Sequence, residues 1–166
     1  RVFITPEDVL PLPETLQAIK EADLIVIGPG SLYTSILPNL IVPHISEAVT
    51  KAKAKKVYIC NLMTQKGETF GYTASDHVRA IFDHTEPQSI QKIIVNNGSI
   101  PKDVKLRYKG ELATPVVIDT KELKSLGLEI IADSIVKMED GVLRHDTHKM
   151  ARLIYELTLN EIKKAM

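Results

Sequence analysis

Residues 24–31 read Leu-Ile-Val-Ile-Gly-Pro-Gly-Ser, and this stretch decides the fold. The four apolar residues at 24–27 are typical of a strand that is buried on both faces, as strands of parallel sheets are. Gly28 ends the strand, and Ser31 can cap a short helix that Pro38 would terminate. A buried strand that passes directly into a helix predicts the first half of a β-α-β crossover.

The same alternation of β-rich runs and helical stretches continues along the chain. It predicts an α/β fold that is Rossmann-like, with a mainly parallel sheet and helices on both faces. Further strands are predicted at 2–4, 57–60, 93–95, 116–118 and 128–131, with a weak one at 104–108. Helices are predicted at 13–21, from Pro43, from Ser75 to about His84, and after Asp146.

Length and composition limit the class of protein. With 166 residues and 44% hydrophobic content, the chain suits one compact core, hence one domain or part of one. Lysine plus arginine equal aspartate plus glutamate at 21 each, so no overall field attracts nucleic acid or an anionic membrane. Since the chain opens on Arg1 directly before an apolar run, we expect a fragment that begins inside structure.

Cysteine usage and hydropathy predict the compartment. Cys60 is the only cysteine, so it has no intramolecular disulfide partner, and a reducing compartment is favoured. No apolar run approaches the roughly 20 residues of a membrane-spanning helix, and the start lacks a signal-peptide layout. We therefore expect a cytoplasmic protein without membrane insertion.

Three strand-to-helix loops carry the residues that could bind a ligand. They lie at 28–31, 61–69 and 96–99, directly after three predicted strands. Parallel strands would bring them to one edge, where open α/β sheets bind ligands. Glycines allow close backbone approach, and hydroxyl groups with helix N–H groups can hold phosphate oxygens. The alternative is a bare architectural turn, because Gly-Pro-Gly-Ser is neither a dinucleotide fingerprint nor a Walker A loop.

The second loop and the helix after it add polar candidates. Gln65, Lys66 and Glu68 could reach a ligand, although Lys66 could equally be a solvated loop residue. Asp76 and His77 fall in the first turn of a helix that faces the same edge, so they could contact a phosphate, a sugar hydroxyl or a metal, or act as acid and base. Helix capping is the structural alternative for Asp76.

Other patterns are less informative. Tyr33 and Tyr72 could stack on a base or simply pack. His145 and His148 lie three apart without a supporting carboxylate or cysteine cluster, so we predict no metal site there. No Ser-His-Asp arrangement is legible, and Ser31 does not lie in a nucleophile elbow.

Two long motifs carry a family resemblance. Residues 22–40 read Ala-Asp-Leu-Ile-Val-Ile-Gly-Pro-Gly-Ser-Leu-Tyr-Thr-Ser-Ile-Leu-Pro-Asn-Leu, and residues 60–78 include Cys-Asn-Leu-Met-Thr-Gln, Gly-Glu-Thr and Ala-Ser-Asp-His-Val. The sequence resembles the bacterial gluconeogenesis factor family, which is related to the CofD-like 2-phospho-L-lactate transferases. In the transferase branch Gly-Pro-Ser-Asn-Pro precedes Thr-Ser-Ile, whereas this chain has residues 28–33 as Gly-Pro-Gly-Ser-Leu-Tyr, so the regulatory branch fits better.

The resemblance implies a Rossmann-like fold, a cytoplasmic location and binding of nucleotide sugars of the UDP-N-acetylglucosamine type. It also implies a part in carbon metabolism, cell-wall precursor supply and cell shape, with no established reaction. Full-length relatives open with a glycine-rich loop that has no counterpart before Val2, so residues 1–166 would be the C-terminal part of a single domain. Half of the expected ligand site would then be missing, and we expect self-association through exposed sheet edges.

The leading interpretation is a nucleotide or nucleotide-sugar binding regulator. One alternative is a transferase in which Asp76 or His77 is the acid or base and Mg²⁺ bridges phosphates; another is a protein-interaction module without a nucleotide ligand. The sequence establishes no cofactor, and Mg²⁺ that bridges the ligand phosphates is the one candidate. The candidate ligand-binding residues are Gly28, Pro29, Gly30, Ser31, Tyr33, Thr34, Ser35, Asn61, Thr64, Gln65, Glu68, Thr69, Asp76, His77 and Asn96.

Overall fold

The computed structural model describes residues 1–165 of the chain. Helices and strands alternate over most of that length. In chain order they are α1 (Pro13–Glu21), β1 (Leu24–Ile27), a π-helical turn (Leu32–Ile36), α2 (Leu37–Leu40), α3 (Ile45–Lys51), β2 (Lys55–Ile59), α4 (Ala74–Phe82), β3 (Lys92–Asn96), α5 (Lys102–Gly110), α6 (Thr120–Ser125), β4 (Glu129–Asp133), β5 (Val136–Glu139), β6 (Val142–His145) and α7 (Thr147–Ala165).

Four parallel strands form the main sheet, in the order β1-β2-β3-β4. The register pairs Ile27 with Tyr58, and Ile59 with Ile94. Because all four strands run in one direction, the loops that follow them gather at one edge. The predicted α/β class and the parallel sheet are confirmed.

Side chains that alternate along the central strands form two cores, one on each face of the sheet. Tyr58 and Ile93 point to the face covered by α2, α4 and α6, whereas Val57 and Ile94 point to the face covered by α7. Helices therefore cover both faces, as predicted. The first core also contains Leu37, Leu40, Val78, Ile81, Val95 and Leu123, and the second contains Ile59 and Met150, with Leu153, Ile154 and Leu157 packed against it.

A capping box fixes the start of α4, the helix that carries two of the candidate residues. The Thr73 hydroxyl accepts a hydrogen bond from the Asp76 backbone N–H at 3.3 Å, and the Asp76 carboxylate accepts one from the Thr73 backbone N–H at 2.9 Å. The predicted Ser75 cap is wrong, because the Ser75 hydroxyl donates to Asp119 at 2.5 Å instead. Asp76 thus has the capping role that is the alternative to ligand binding.

Two proline-based helix boundaries also differ from prediction. Pro38 does not end a helix but lies in the first turn of α2, where its missing N–H removes no intrahelical hydrogen bond. Pro43 does not begin α3, because His44 takes up a left-handed conformation (φ 68°) directly before the helix. In both cases the helix boundary lies two residues after the proline and not at the proline itself.

Three predicted strands are absent from the described structure. Residues 104–108 belong to α5; their apolar residues alternate, but only Val104 is buried and Leu106 is 70% exposed. Residues 116–118 do not form a strand. Val117 makes an isolated bridge with Thr73, because this segment lies across the loops rather than beside a strand. Residues 2–4 are irregular, and the Val2 N–H donates to His84 Nε2 at 3.1 Å instead of to a neighbouring strand.

The antiparallel hairpin β5–β6 was not predicted. Its turn is Asp140-Gly141, and both residues have positive φ (47° and 75°), as a two-residue hairpin turn requires. The hairpin follows β4 directly and leads into α7. It brings residues 142–145 to the edge where the parallel strands end.

The last helix agrees with prediction. The Asp146 carboxylate accepts a hydrogen bond from the Lys149 backbone N–H at 3.2 Å, so Asp146 caps α7. The face that starts at Met150 packs on the sheet. Across residues 1–165, no helix combines the length and the apolar character needed to cross a membrane.

Gly28 lets the chain turn sharply after β1. Its φ is +90°, and a Cβ atom there would meet the Ile59 carbonyl oxygen at 3.2 Å and Ile36 Cδ1 at 3.4 Å. Any other residue would combine backbone strain with crowding against β2. The glycine is thus required by the approach of the turn to the next strand.

We expect Gly28→Ala to lower the free energy of unfolding by about 1–3 kcal/mol, because the variant would strain the turn. Urea denaturation measures this change. The matched control is Gly110→Ala at the end of α5, where no heavy atom lies within 4 Å of the added Cβ. The control should shift stability by no more than about 0.5 kcal/mol; equal losses in the two variants would contradict the interpretation.

Candidate functional site

A cleft of about 590 Å³ opens at the edge of the sheet where the parallel strands end. One wall is built from the turn after β1 and the loop after β2. Five candidate residues meet there: Pro29, Gly30, Asn61, Thr64 and Gln65. The complete lining is Pro29, Gly30, Asn61, Leu62, Met63, Thr64, Gln65, Lys66, Tyr108, Glu111, Ala113, Leu143, Arg144 and His145.

The opposite wall comes from parts of the chain that sequence reasoning did not connect with the loops. Tyr108 and Glu111 lie at the end of α5, and Arg144 and His145 lie at the end of β6. The Leu143 backbone N–H donates to the Tyr108 hydroxyl at 3.1 Å, which ties the two segments together. No sequence signal assigned these residues to a ligand; only the Asp-Gly turn of the hairpin could have brought Arg144 near the strand ends.

The cleft carries a local positive charge in a chain whose formal net charge is zero. Lys66 lines it from the loop after β2 and Arg144 from β6, and Glu111 is the acidic residue of the lining. Arginine suits phosphate and carboxylate groups because its guanidinium donates two parallel hydrogen bonds. The electrostatics therefore favour an anionic ligand.

His145 is fixed within this wall. Its Nε2 donates to the Cys60 carbonyl at 3.2 Å, so the hairpin is tied to the end of β2. Burial lowers the pKa of His145, and the hydrogen bond to Cys60 opposes that shift. Burial also raises the pKa of the Cys60 thiol to about 12, which excludes it as a thiolate nucleophile at neutral pH.

The turn after β1 presents unpaired backbone donors. The Ser31 carbonyl accepts from the N–H groups of Ser35 and Ile36 at 2.9 and 3.0 Å, and this starts the π-helical turn. Within residues 1–165, the N–H groups of residues 32–34 have no backbone acceptor, and the Ser31 hydroxyl does not cap the turn. Thr34 and Ser35 are exposed. Leu32 is completely buried, so the N–H groups of Tyr33 and Thr34 are the ones that an anion could reach.

The turn also borders a second, separate cavity. Gly28, Pro29 and Ser35 line a cavity of about 350 Å³ along the outer edge of β1, together with apolar side chains. Gly28 and Ser35 are absent from the lining of the cleft. Pro29 lines both cavities, Gly30 lines the cleft alone, and Ser31 and Thr34 line neither of the two.

Asn61 and Asn96 flank a small cavity of about 110 Å³ between the ends of β2 and β3. Asn61 lines both this cavity and the cleft, so the two are adjacent. The Asn96 amide is already engaged, because it donates to the Gly98 carbonyl at 3.0 Å and accepts from the N–H groups of Gly98 and Ile135. Asn96 thus positions the start of the hairpin.

The hydroxyl groups of Thr64 and Thr69 hold the loop together. Thr64 is buried, and its hydroxyl accepts from the Thr114 backbone N–H at 2.9 Å. The Thr69 hydroxyl accepts from the Gln65 backbone N–H at 3.0 Å. Thr64 reaches the cleft wall, but Thr69 is completely buried and lies outside the lining.

A cluster of aromatic and titratable groups lies behind the cleft. His77 is completely buried, its Nδ1 donates to the Thr73 carbonyl at 2.8 Å, and burial lowers its pKa. Tyr33 and Tyr72 share a hydrogen bond of 2.9 Å between their hydroxyl groups, and burial raises the pKa of Tyr33 to about 12. Tyr33, Glu68, Asp76 and His77 are all absent from the cleft lining.

Metal ligation is a separate question. Within residues 1–165, no group of three or more histidine, cysteine, aspartate or glutamate side chains is arranged to hold a metal ion. His145 is engaged with Cys60, as described above, and His148 lies in the first turn of α7.

Comparisons with known proteins bear on the family. The family model described as 2-phospho-L-lactate transferase CofD matches residues 1–136. The gluconeogenesis factor of Bacillus subtilis (strain 168) is 59% identical over 157 residues, which are 95% of this chain and 50% of that protein. The gluconeogenesis factor of Halalkalibacterium halodurans is 54% identical over 156 residues, covering 94% of this chain and 48% of that protein.

Solved structures agree with the sequence comparisons. A crystal structure from Bacillus halodurans, described as a member of the UPF0052 family, superposes with a TM-score of 0.90 and 54% identity over 93% of this chain and 50% of that chain. This chain spans about half the length of the curated relatives that it matches. The resemblance stated from the two sequence motifs is confirmed, and the chain belongs to the CofD family, where it groups with the bacterial gluconeogenesis factors.

Proposed function

We propose that this chain binds a nucleotide or nucleotide sugar in the cleft and acts as a regulator rather than an enzyme. The observation that carries the proposal is the pair of cations, Lys66 and Arg144, in the lining of a cleft that also contains the Pro29-Gly30 turn. A volume of about 590 Å³ lies within the range of sites for small molecules, about 300–1,000 Å³.

The phosphate groups would lie between the cations and the turn. The Arg144 guanidinium can bind two phosphate oxygens, and Lys66 adds a point charge. The backbone N–H groups of Tyr33 and Thr34, on the turn that continues from Gly30, would supply further donors. If Mg²⁺ accompanies the ligand, its phosphate oxygens would supply most of the ligands to the ion, and Glu111 would be the carboxylate within reach in the lining.

The remainder of the cleft suits a sugar or a base. Asn61 projects between the cleft and the small cavity beside it, and Tyr108 and Glu111 add hydroxyl and carboxylate groups. Polar groups of this kind fix the orientation of hydroxylated rings. A ligand of the UDP-N-acetylglucosamine type combines the diphosphate and the sugar that these groups could bind.

The physiological role that we propose follows the names of the relatives, which are gluconeogenesis factors. We propose that the bound nucleotide sugar reports on carbon metabolism and cell-wall precursor supply in the cytoplasm, with consequences for cell shape. Self-association of the chain is part of the proposal, because β1 lies at the edge of the sheet and Val26 is partly exposed there.

Calorimetric titration of the full-length protein, and of residues 1–166 beside it, with UDP-N-acetylglucosamine and with GDP, each with and without Mg²⁺, tests the binding. We expect saturable binding that weakens about three- to tenfold in Ser31→Ala combined with Thr34→Ala, since Ser31 directly follows Gly30 of the cleft lining and Thr34 is exposed on the same turn. Absence of binding to every nucleotide would mean that the loops serve architecture or a protein partner, and the proposal would fall.

Substitution of the cations locates the site. We expect Arg144→Ala and Lys66→Ala to weaken binding about tenfold to a hundredfold, because each removes a charged donor to phosphate. The matched control is Lys137→Ala, which removes a lysine of the same hairpin that does not line the cleft. A loss of affinity in the control equal to that in Arg144→Ala would contradict the proposed location.

A transferase is the second candidate function, since the matching family model is named for a transferase. Its acid and base candidates are Asp76 and His77, but Asp76 is engaged in the capping box and His77 is completely buried. We therefore expect no release of a nucleoside phosphate when the chain is incubated with candidate nucleotides. Release that disappears in Asp76→Asn would overturn the non-catalytic proposal.

A further inference from the structure

The imidazole of His145 is held in a single orientation in the wall of the cleft. It is half-buried, and its Nε2 lies 3.2 Å from the Cys60 carbonyl oxygen at the end of β2. The backbone N–H of the next residue, Asp146, donates to the Ile135 carbonyl at 2.8 Å. The ring and its backbone are therefore both anchored.

The anchoring contact determines the tautomer of His145. A carbonyl oxygen only accepts hydrogen bonds, so Nε2 must carry the proton. Burial lowers the pKa of the ring, so the second nitrogen, Nδ1, has an unprotonated lone pair at neutral pH. Nδ1 has no hydrogen-bond partner within residues 1–165.

This lone pair differs in chemistry from its neighbours in the cleft. Lys66 and Arg144 only donate hydrogen bonds, and their charge suits an anion. A neutral acceptor beside them would repel a phosphate oxygen but would bind a hydroxyl group as a donor. When a ligand displaces water from the cleft, the Nδ1 lone pair needs a donor from that ligand, because an unsatisfied buried acceptor is costly.

We propose that His145 Nδ1 accepts a hydrogen bond from a hydroxyl group of the ligand. The cleft then selects ligands in which a hydroxyl-bearing ring adjoins the phosphate, as ribose and hexoses do in nucleotide sugars. This inference rests on the proposed function, because it concerns the same ligand. It identifies His145 as a residue that determines specificity through a sugar hydroxyl group rather than through the charged phosphate.

Two substitutions separate the two nitrogens of the ring. His145→Gln places an amide nitrogen near the position of Nε2, so it keeps the donor to Cys60 but lacks the acceptor at Nδ1. His145→Asn places an amide oxygen near the position of Nδ1, so it keeps an acceptor but loses the contact with Cys60. The melting temperature should therefore be unchanged in the Gln variant and lowered in the Asn variant.

Calorimetric titration uses UDP-N-acetylglucosamine and two analogues, one without the ribose 2′ and 3′ hydroxyl groups and one without hydroxyl groups on the hexose. We expect His145→Gln to bind the parent ligand about five- to tenfold more weakly than the wild type. For the analogue that lacks the contacted hydroxyl, the wild type and the Gln variant should bind equally. The identity of that analogue shows whether His145 contacts the ribose or the hexose. His145→Asn keeps the acceptor, so it should still bind the parent ligand more tightly than that analogue.

Three outcomes would overturn the inference. If His145→Gln binds the parent ligand as tightly as the wild type while Arg144→Ala does not, the proposed function stands and this inference falls. If His145→Gln weakens all three ligands equally, His145 has only a structural role. If the wild type binds none of the three, this inference falls together with the proposed function.

Discussion

The parallel pairing of β1, β2 and β3 is the constraint on which the rest of the structure depends. Parallel strands cannot be joined by tight turns, so each connection must cross the sheet and return, which places every outgoing loop at the same edge. The apolar strands need cover on both faces, and α4 and α7 supply it from opposite sides. The cleft exists because these loops meet where the covering helices leave the edge open.

Much of this architecture could be predicted from the sequence, because continuous apolar runs leave few alternatives. Residues 57–59 and 93–95 are buried strands that could not be exposed to water without a large cost, whereas in the edge strand β1 only Ile27 is buried. The predictions failed where the local pattern was ambiguous. Residues 104–108 alternate as a strand does, yet Val104 alone anchors them as a helix. The hairpin was missed although its Asp140-Gly141 turn was legible.

The candidate site could be predicted only in part, for a different reason. Loops that directly follow predicted strands can be located from the sequence alone. Gly30, Asn61 and Gln65 lie in such loops, and all three line the cleft. The opposite wall depends on a tertiary contact between α5 and the hairpin, which no local pattern encodes. Asp76 and His77 were placed correctly at a helix start, but their side chains satisfy the backbone of Thr73 instead of facing the cleft.

Cys60 has a consequence that reaches beyond the site. It is the only cysteine of the chain, it is buried, and its thiol has a pKa of about 12, while its carbonyl anchors His145. A thiol-directed reagent therefore reacts with the native protein only when the end of β2 becomes exposed. The rate of alkylation at this single position reports how often the small cavity between the ends of β2 and β3 opens, without any introduced label.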